Sequence, residues 1–292
     1  MDPSTLPSNQ SVSMGQKVAF GFGMLANQMF PAALGVFIIV LVQDLGFAAL
    51  LWGIIQFLPR VFDAITDPVM GFISDNTRSK WGRRRQYVFI GALLMGIAYV
   101  AMWQLHKGDG VTYNFMYFLS WSLVFYLGLT IFSVPYVAMG YEISEDFHER
   151  TQIMAVAQFI GQWAWVIAPW FWVILYDPSW FPEGADSGVR ALSVWVAIPC
   201  TLFAMVPALF LKSKSTLDRT DFDPINVSAV LGSVGKIFMS AFEAFRIKQF
   251  RQIAGATFLI FNSFNVIAAF TFLIIVHYLS LIHISEPTRL NP

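Results

Sequence analysis

A single cysteine, Cys200, is all the chain offers for thiol chemistry, so no intrachain disulfide can form. Its place inside an apolar run marks it as a small packing residue rather than a reactive thiol. Charge is scarce as well. Asp, Glu, Lys and Arg make up 12% of the 292 residues against 57% hydrophobic ones, and the mean hydropathy is +0.60. Soluble domains carry about a quarter charged residues, so the composition is that of an integral membrane protein. No glycine-rich loop followed by Lys-Ser/Thr is present, which leaves no phosphate cradle for ATP. The first apolar run lacks a short core ending in a small-residue cleavage site, so it is itself a membrane span and not a signal peptide. Acidic and basic residues balance at 18 each, but they are sorted into the connections, and that sorting carries the information.

What the chain has in quantity is apolar sequence. Seven runs, at about 18–42, 50–73, 87–103, 113–139, 154–176, 192–211 and 253–278, are each read as a spanning helix, since a crossing takes about 20 residues and lipid tolerates no irregular backbone. Lys and Arg fix the expected orientation. Arg78, Lys80, Arg83, Arg84 and Arg85 crowd the second-to-third connection, while the opposite side shows Lys107 and Arg190. The N-terminus and the basic loops are therefore expected to be cytoplasmic.

The expected organisation is a polar cytoplasmic tail over 1–17, a six-helix bundle over 18–211, a cytoplasmic linker over 212–250 and a seventh helix over 251–279. Within the linker, Val230, Leu231, Val234, Ile237, Phe238, Phe242, Phe245 and Ile247 recur at helical spacing, as in a helix lying on the membrane face. Six helices, a linker and the start of another set is the plan of a transporter built from two halves. Residues 280–289, SLIHISEPTR, resemble translated sequencing-adapter DNA. Residues 280–292 are accordingly expected to be non-native, with the natural chain continuing past about Leu279.

The chemistry concentrates in RVFDAITDPVMGFISDNTRSKWGRRR, residues 60–85. Asp63 and Asp67 stand one helical turn apart on one face. A charge near the bilayer centre costs about 2.5 to 3.5 kcal/mol, so the pair costs roughly 5 to 7 kcal/mol uncompensated. Protonation of one carboxyl, pairing with Arg60, or a bridging cation would each relieve it. The first and last describe a coupling site for a proton or a hard ion such as sodium. A buried salt-bridge cluster joining helices is the structural alternative. An intramembrane aspartyl protease would place its aspartates on different helices, and no second deep Asp occurs in another span.

Asp63-x3-Asp67-Pro68, followed by Gly71, Asp75, Arg78, Trp81, Gly82 and Arg83, resembles the second helix and following loop of the glycoside-pentoside-hexuronide:cation symporters, the melibiose-permease-like family of the major facilitator superfamily. Gly71-x3-Asp75 and the run from Gly82 to Arg85 also resemble the superfamily's loop signature, with extra residues inserted. The resemblance runs from about Gly21 through the linker. It implies an all-α membrane protein of the major facilitator fold. It further implies that Asp63 and Asp67 ligate Na+ or H+ together with Thr130, with Thr66 and Ser133 as further hydroxyls. The family's fourth-helix carboxylate falls at Ser133, its first-helix sugar-contacting Asp at Gln28, and its fifth-helix arginine near Ala157 and Gln158. The ion half of the family's site is thus retained while the sugar half is rewritten.

Chemistry nominates Gln28, Arg60, Tyr136, Gln158, Gln162 and Trp163 as solute contacts, because sugars offer hydroxyls to amides and C–H faces to aromatic rings. Trp170 and Trp172, near the end of the same span, read as an interfacial belt. Gly71, Asp75, Arg78, Gly82, Arg83 and Arg84 are the expected conformational latch. Glu142, Glu145, Asp146 and Arg150 are a second candidate charge network, joining helices four and five to the linker.

The function expected is cation-coupled symport of a sugar or glycoside by alternating access, by a non-enzyme without cofactors other than its coupling ion. A monomer in the bacterial inner membrane is expected, with a small solute and the bilayer as partners and no nucleic acid. Transport of a lysolipid or other amphiphile, and a non-transporting receptor or scaffold, are the alternatives. The orientation is checked with an impermeant maleimide: Lys80→Cys should react only in inside-out vesicles and Lys107→Cys only in right-side-out ones.

Overall fold

The computed structural model describes residues 12–211 and 227–274. Residues 1–11 of the expected tail, 212–226 of the expected linker, 275–279 of the seventh span and the expected non-native stretch 280–292 lie outside the described residues.

Every long apolar run among them is a helix. The order is α1 (Met14–Gln43), α2 (Ala49–Asp75), α3 (Arg85–Met102), α4 (Val111–Glu142), α5 (Phe147–Tyr176), α6 (Ala185–Phe210), α7 (Val227–Ala244) and α8 (Lys248–Ile274). No strand occurs among the described residues. The helices outrun the apolar windows that announce them. Residues 14–17 belong to α1 and not to the tail, and α5 starts at Phe147, seven residues before the apolar run that marks it. The reason is local: Asp146 caps α5 by accepting from the Glu149 N–H at 2.8 Å, and Glu149 itself lies in the positively polarised first turn. Hydropathy marks the bilayer core, whereas capping marks the helix end.

Two compact units divide at Ser233 and Val234. The first holds α1–α6. Short connections make successive helices antiparallel, so the ends of α2, α4 and α6 share one side with the starts of α1, α3 and α5. Within it α1 packs on α5 and α6, α3 on α4 and α6, and α2 on α4. Water cannot drive helices together in hydrocarbon, so close approach through small residues does the work. A Cβ on Gly91 would lie 2.4 Å from the Phe132 backbone nitrogen, and one on Gly128 would lie 2.7 Å from that of Met95. The α3 and α4 backbones therefore touch at two levels. Along α5 the small residues Ala157, Gly161, Ala164 and Ala168 are all buried.

Aromatic rings fill the centre. Phe30, Phe37, Tyr99, Trp103, Phe118 and Phe125 are essentially inaccessible, and Phe37 meets Trp103 edge to face at 5.4 Å between centroids, the geometry the ring quadrupoles favour. The outside is apolar too: Phe57 and Ile65 on α2 and Phe159 and Trp170 on α5 are exposed. Among the described residues five helices, α1, α3, α4, α5 and α6, are long and apolar enough to cross a membrane. α2 is of similar length but carries Arg60, Asp63 and Asp67 mid-helix. The chain is an integral membrane protein.

In the second unit, α8 exposes Phe258, Leu259, Phe261 and Phe264. Arg246 lies over the Phe242 ring at 5.7 Å, and Phe245 meets Phe250 edge to face.

Gly128→Val should separate α3 from α4, because its added carbons meet main chain and not a movable side chain. The expected loss is about 1–3 kcal/mol, read as a lower melting temperature in detergent, with the exposed Gly108→Val unchanged.

Candidate functional site

α2 packs chiefly on α4 among the described helices, and its polar face explains how. The Thr130 hydroxyl on α4 donates to Asp67 Oδ1 at 2.8 Å. Thr66 Oγ1 lies 3.4 Å from Thr130 Oγ1 and 3.1 Å from the Phe62 carbonyl oxygen, to which it donates. Asp67, Thr66 and Thr130 thus form one oxygen cluster across two helices. Asp63 is one turn away. Its Oδ2 lies 3.8 Å from Arg60 Nη1, a loose contact with a guanidinium that is 71% exposed and rests 5.7 Å over the Tyr126 ring. Its Oδ1 is buried and accepts no hydrogen bond. A buried carboxylate oxygen without a donor is costly, and a cation or an added proton would satisfy it.

Pro59 and Pro68 bracket this stretch. Pro68 has no N–H, so the Ala64 carbonyl loses its usual helical donor. Carboxylate, hydroxyl and carbonyl oxygens are the ligands hard cations select. Ser133 is half-buried on α4 and makes no hydrogen bond to the cluster among the described residues.

Apart from Arg60, which lies beside Asp63, the nominated solute contacts fall in three places. Gln28 on α1 donates through Nε2 to Gln158 Oε1 on α5 at 2.9 Å, and its Oε1 accepts from Trp165 Nε1 at 3.0 Å. Trp165, not among the nominated residues, shares a helix face with Gln158 seven positions earlier; that spacing was the available signal. Gln162 and Trp163 are exposed on α5, and Trp163 lies roughly 140° round the helix from Gln158 at 100° per residue. Tyr136 is placed in the core. It is fully buried, stacked on Phe20 and Phe132, and its hydroxyl donates to the Phe20 carbonyl at 2.5 Å. Nothing of it is open to a solute.

The loop after α2 closes on α4. Arg84, with its side chain only 9% exposed, pairs with Asp75 and has Nη1 2.8 Å from Glu142 Oε1, which Arg83 also engages. Arg85 reaches α6 instead, donating to the carbonyls of Ala208 at 2.6 Å and Leu209 at 3.0 Å; it satisfies acceptors that a helix end leaves open. Gly82 permits the turn, with φ +90, a conformation side chains resist. Gly71 is half-buried, and a Cβ there would make only ordinary contact with Val134 Cγ1 at 3.9 Å; Arg78 is exposed. Of the second candidate network, Glu142 joins the arginines while Asp146 caps α5. A pair not nominated from the sequence lies nearby: Lys17 Nζ on α1 is 2.8 Å from Glu149 Oε1 and 2.9 Å from Gln152 Oε1 on α5.

Comparison with known proteins places these residues in context. The sequence profile described as MFS/sugar transport protein matches residues 19–238. The chain is 27% identical over 227 residues to the inner membrane symporter YicJ of Escherichia coli, covering 75% of the chain and 46% of that protein. It is 28% identical over 223 residues to a lactose permease of Leuconostoc lactis, covering 70% and 35% respectively. It is 30% identical over 151 residues to sodium-dependent lysophosphatidylcholine symporter 1 of Mus musculus, covering 50% and 28%. The matched region thus spans less than half of each relative.

Arg84→Ala would leave Asp75 without its ion-pair partner and Glu142 with Arg83 alone. A loss of about 1–3 kcal/mol is expected, measured by thermal unfolding, whereas exposed Arg78→Ala should cost less than half as much.

Proposed function

The chain belongs to the MFS/sugar transport protein family, and from that premise we propose that it is the cation-binding half of a secondary transporter that couples Na+ or H+ to movement of a sugar or glycoside. The observation that carries the proposal is the oxygen cluster of Asp67, Thr130 and Thr66, with Asp63 Oδ1 beside it lacking any donor. One face of α2 supplies two carboxylates, and α4 supplies the hydroxyl that orients one of them. An ion entering between the helices exchanges its water shell for these oxygens and neutralises the pair's repulsion.

Coupling then follows from differential affinity. The ion favours the arrangement in which α2 and α4 present all their oxygens together, and a solute that favours the same arrangement moves with it. The Arg83, Arg84, Asp75 and Glu142 network sits where α2 and α4 end, so it biases the same pair of helices from outside the ion site. Gln28, Gln158 and Trp165 supply uncharged hydrogen-bonding groups suited to a saccharide. The proposed setting is a bacterial inner membrane, with the N-terminus and basic loops cytoplasmic.

A second reading, an amphiphile as the solute, is favoured by the similarity to the lysophosphatidylcholine symporter. Competition of lactose against lysophosphatidylcholine for uptake separates the two.

In the full-length transporter, Asp63→Asn and Asp67→Asn should each abolish Na+- or proton-driven uptake while leaving expression unchanged. Thr130→Val should weaken the apparent ion affinity by roughly tenfold, the loss of one hydrogen bond to a charged group. Ion-dependent uptake that survives in both Asn variants would remove the coupling role.

A further inference from the structure

Trp165, Gln28 and Gln158 are held as a chain with only one possible direction. An indole N–H donates and cannot accept. Since Trp165 Nε1 lies 3.0 Å from Gln28, the atom facing it must be the carboxamide oxygen, and Gln28 Nε2 must face the other way, where Gln158 Oε1 accepts at 2.9 Å. The usual ambiguity of amide orientation is thereby removed at both glutamines. What remains at the open end is Gln158 Nε2, with two N–H groups that find no protein acceptor among the described residues, on a side chain that is itself exposed.

The chain has a seat built for it. Gly161 lies on α5 between Gln158 and Trp165, and a Cβ there would stand 2.7 Å from Gln28 Nε2 and 2.6 Å from Met24 Cγ. Only glycine leaves the Gln28 amide room to lie against α5 and reach both partners. None of the three polar side chains carries charge.

We propose that Trp165 is a positioning residue that polarises the Gln28–Gln158 pair into an outward-facing donor array, which selects a neutral oxygen acceptor, a saccharide hydroxyl or ring oxygen, over a carboxylate-bearing sugar. This rests on the transporter reading above and names the solute class of that site. A uronate would bring a full charge to a trio of side chains that supplies dipoles but no counter-charge, and desolvating that charge costs more than neutral donors return. A neutral glycoside carries no charge to desolvate and gains the two N–H donors. Trp165 does not touch the solute in this scheme; it acts through Gln28.

The test uses the full chain in lipid nanodiscs, with p-nitrophenyl β-galactoside, p-nitrophenyl β-glucuronide and lysophosphatidylcholine as probes in equilibrium dialysis. The galactoside should bind more than about tenfold tighter than the glucuronide. Trp165→Phe, which keeps a ring but no donor, should weaken galactoside binding roughly fivefold, and Gly161→Ala should do the same by displacing Gln28. Trp165→Gln, whose amide N–H lies the same number of bonds from Cβ as the indole N–H, should restore it. A purely structural role for the ring would leave Trp165→Gln as weak as Trp165→Phe, and that result overturns the proposal.

An independent readout follows the 15N-indole signal of Trp165, assigned by its absence in Trp165→Phe. Gln28→Leu should shift it; an unmoved signal overturns the hydrogen-bond chain whatever binds. Equal binding of glucuronide and galactoside, or preference for lysophosphatidylcholine, overturns the selectivity even if the signal responds. Failure of the transporter reading shows separately, as the absence of any Na+ or pH effect on binding of any probe.

Discussion

A carboxylate in hydrocarbon has no water to turn to, and the placement of α2 follows from that constraint. Packing of small residues holds α1 to α5 and α3 to α4, whereas α2 packs chiefly on α4 in the described bundle. The hydrogen bond from Thr130 to Asp67 ties the two helices at mid-depth, and the arginines of the following loop tie them again at one end. Asp63 is left with one oxygen in a loose 3.8 Å contact with Arg60 and one buried oxygen without a donor among the described residues. A merely structural ion-pair cluster would have closed on itself, with each oxygen matched by a donor. Here Asp63 Oδ1 is buried without a donor among the described residues, the feature on which the proposed ion site rests.

Rigid and movable parts are divided by residue size. Where glycine lets backbones touch, as at Gly91 and Gly128, neither helix can shift without breaking many dispersion contacts at once. α2 has no such contact with α4: a Cβ on Gly71 would find only Val134 Cγ1, at 3.9 Å. It is held by polar bonds that a bound ion or a proton can rearrange. The polar network thus lies on the helix whose packing in the described bundle is chiefly against α4, which is why the proposed coupling is placed on α2.

Much of the fold was legible because hydrophobic length is a one-dimensional property. Apolar runs of bilayer length announced α1–α6, and two aspartates in one run announced a site. The helix ends were not legible from hydropathy, since Asp146 sets the start of α5 by a cap that lies outside the apolar window. Which aromatic meets Gln28 was not legible either: Tyr136 and Trp163 were chosen by residue type, but a helix turns 100° per residue, and only packing against α1 decides which ring reaches the amide. That packing selects Trp165 and sends Tyr136 into the core beside Phe20. Lys17 and Glu149, 132 positions apart, form their ion pair for the same reason.

The sequence by itself determined that the chain is helical and embedded in a membrane, and that Asp63 and Asp67 share a face, because composition and periodicity act along the chain. Tertiary structure decided which hydroxyl meets which carboxylate, which carboxylate oxygen stays bare, and which way the amides of Gln28 and Gln158 point. Those depend on contacts between residues far apart in the chain, such as Thr130 with Asp67 and Trp165 with Gln28, and no local pattern fixes the rotation of one helix against another.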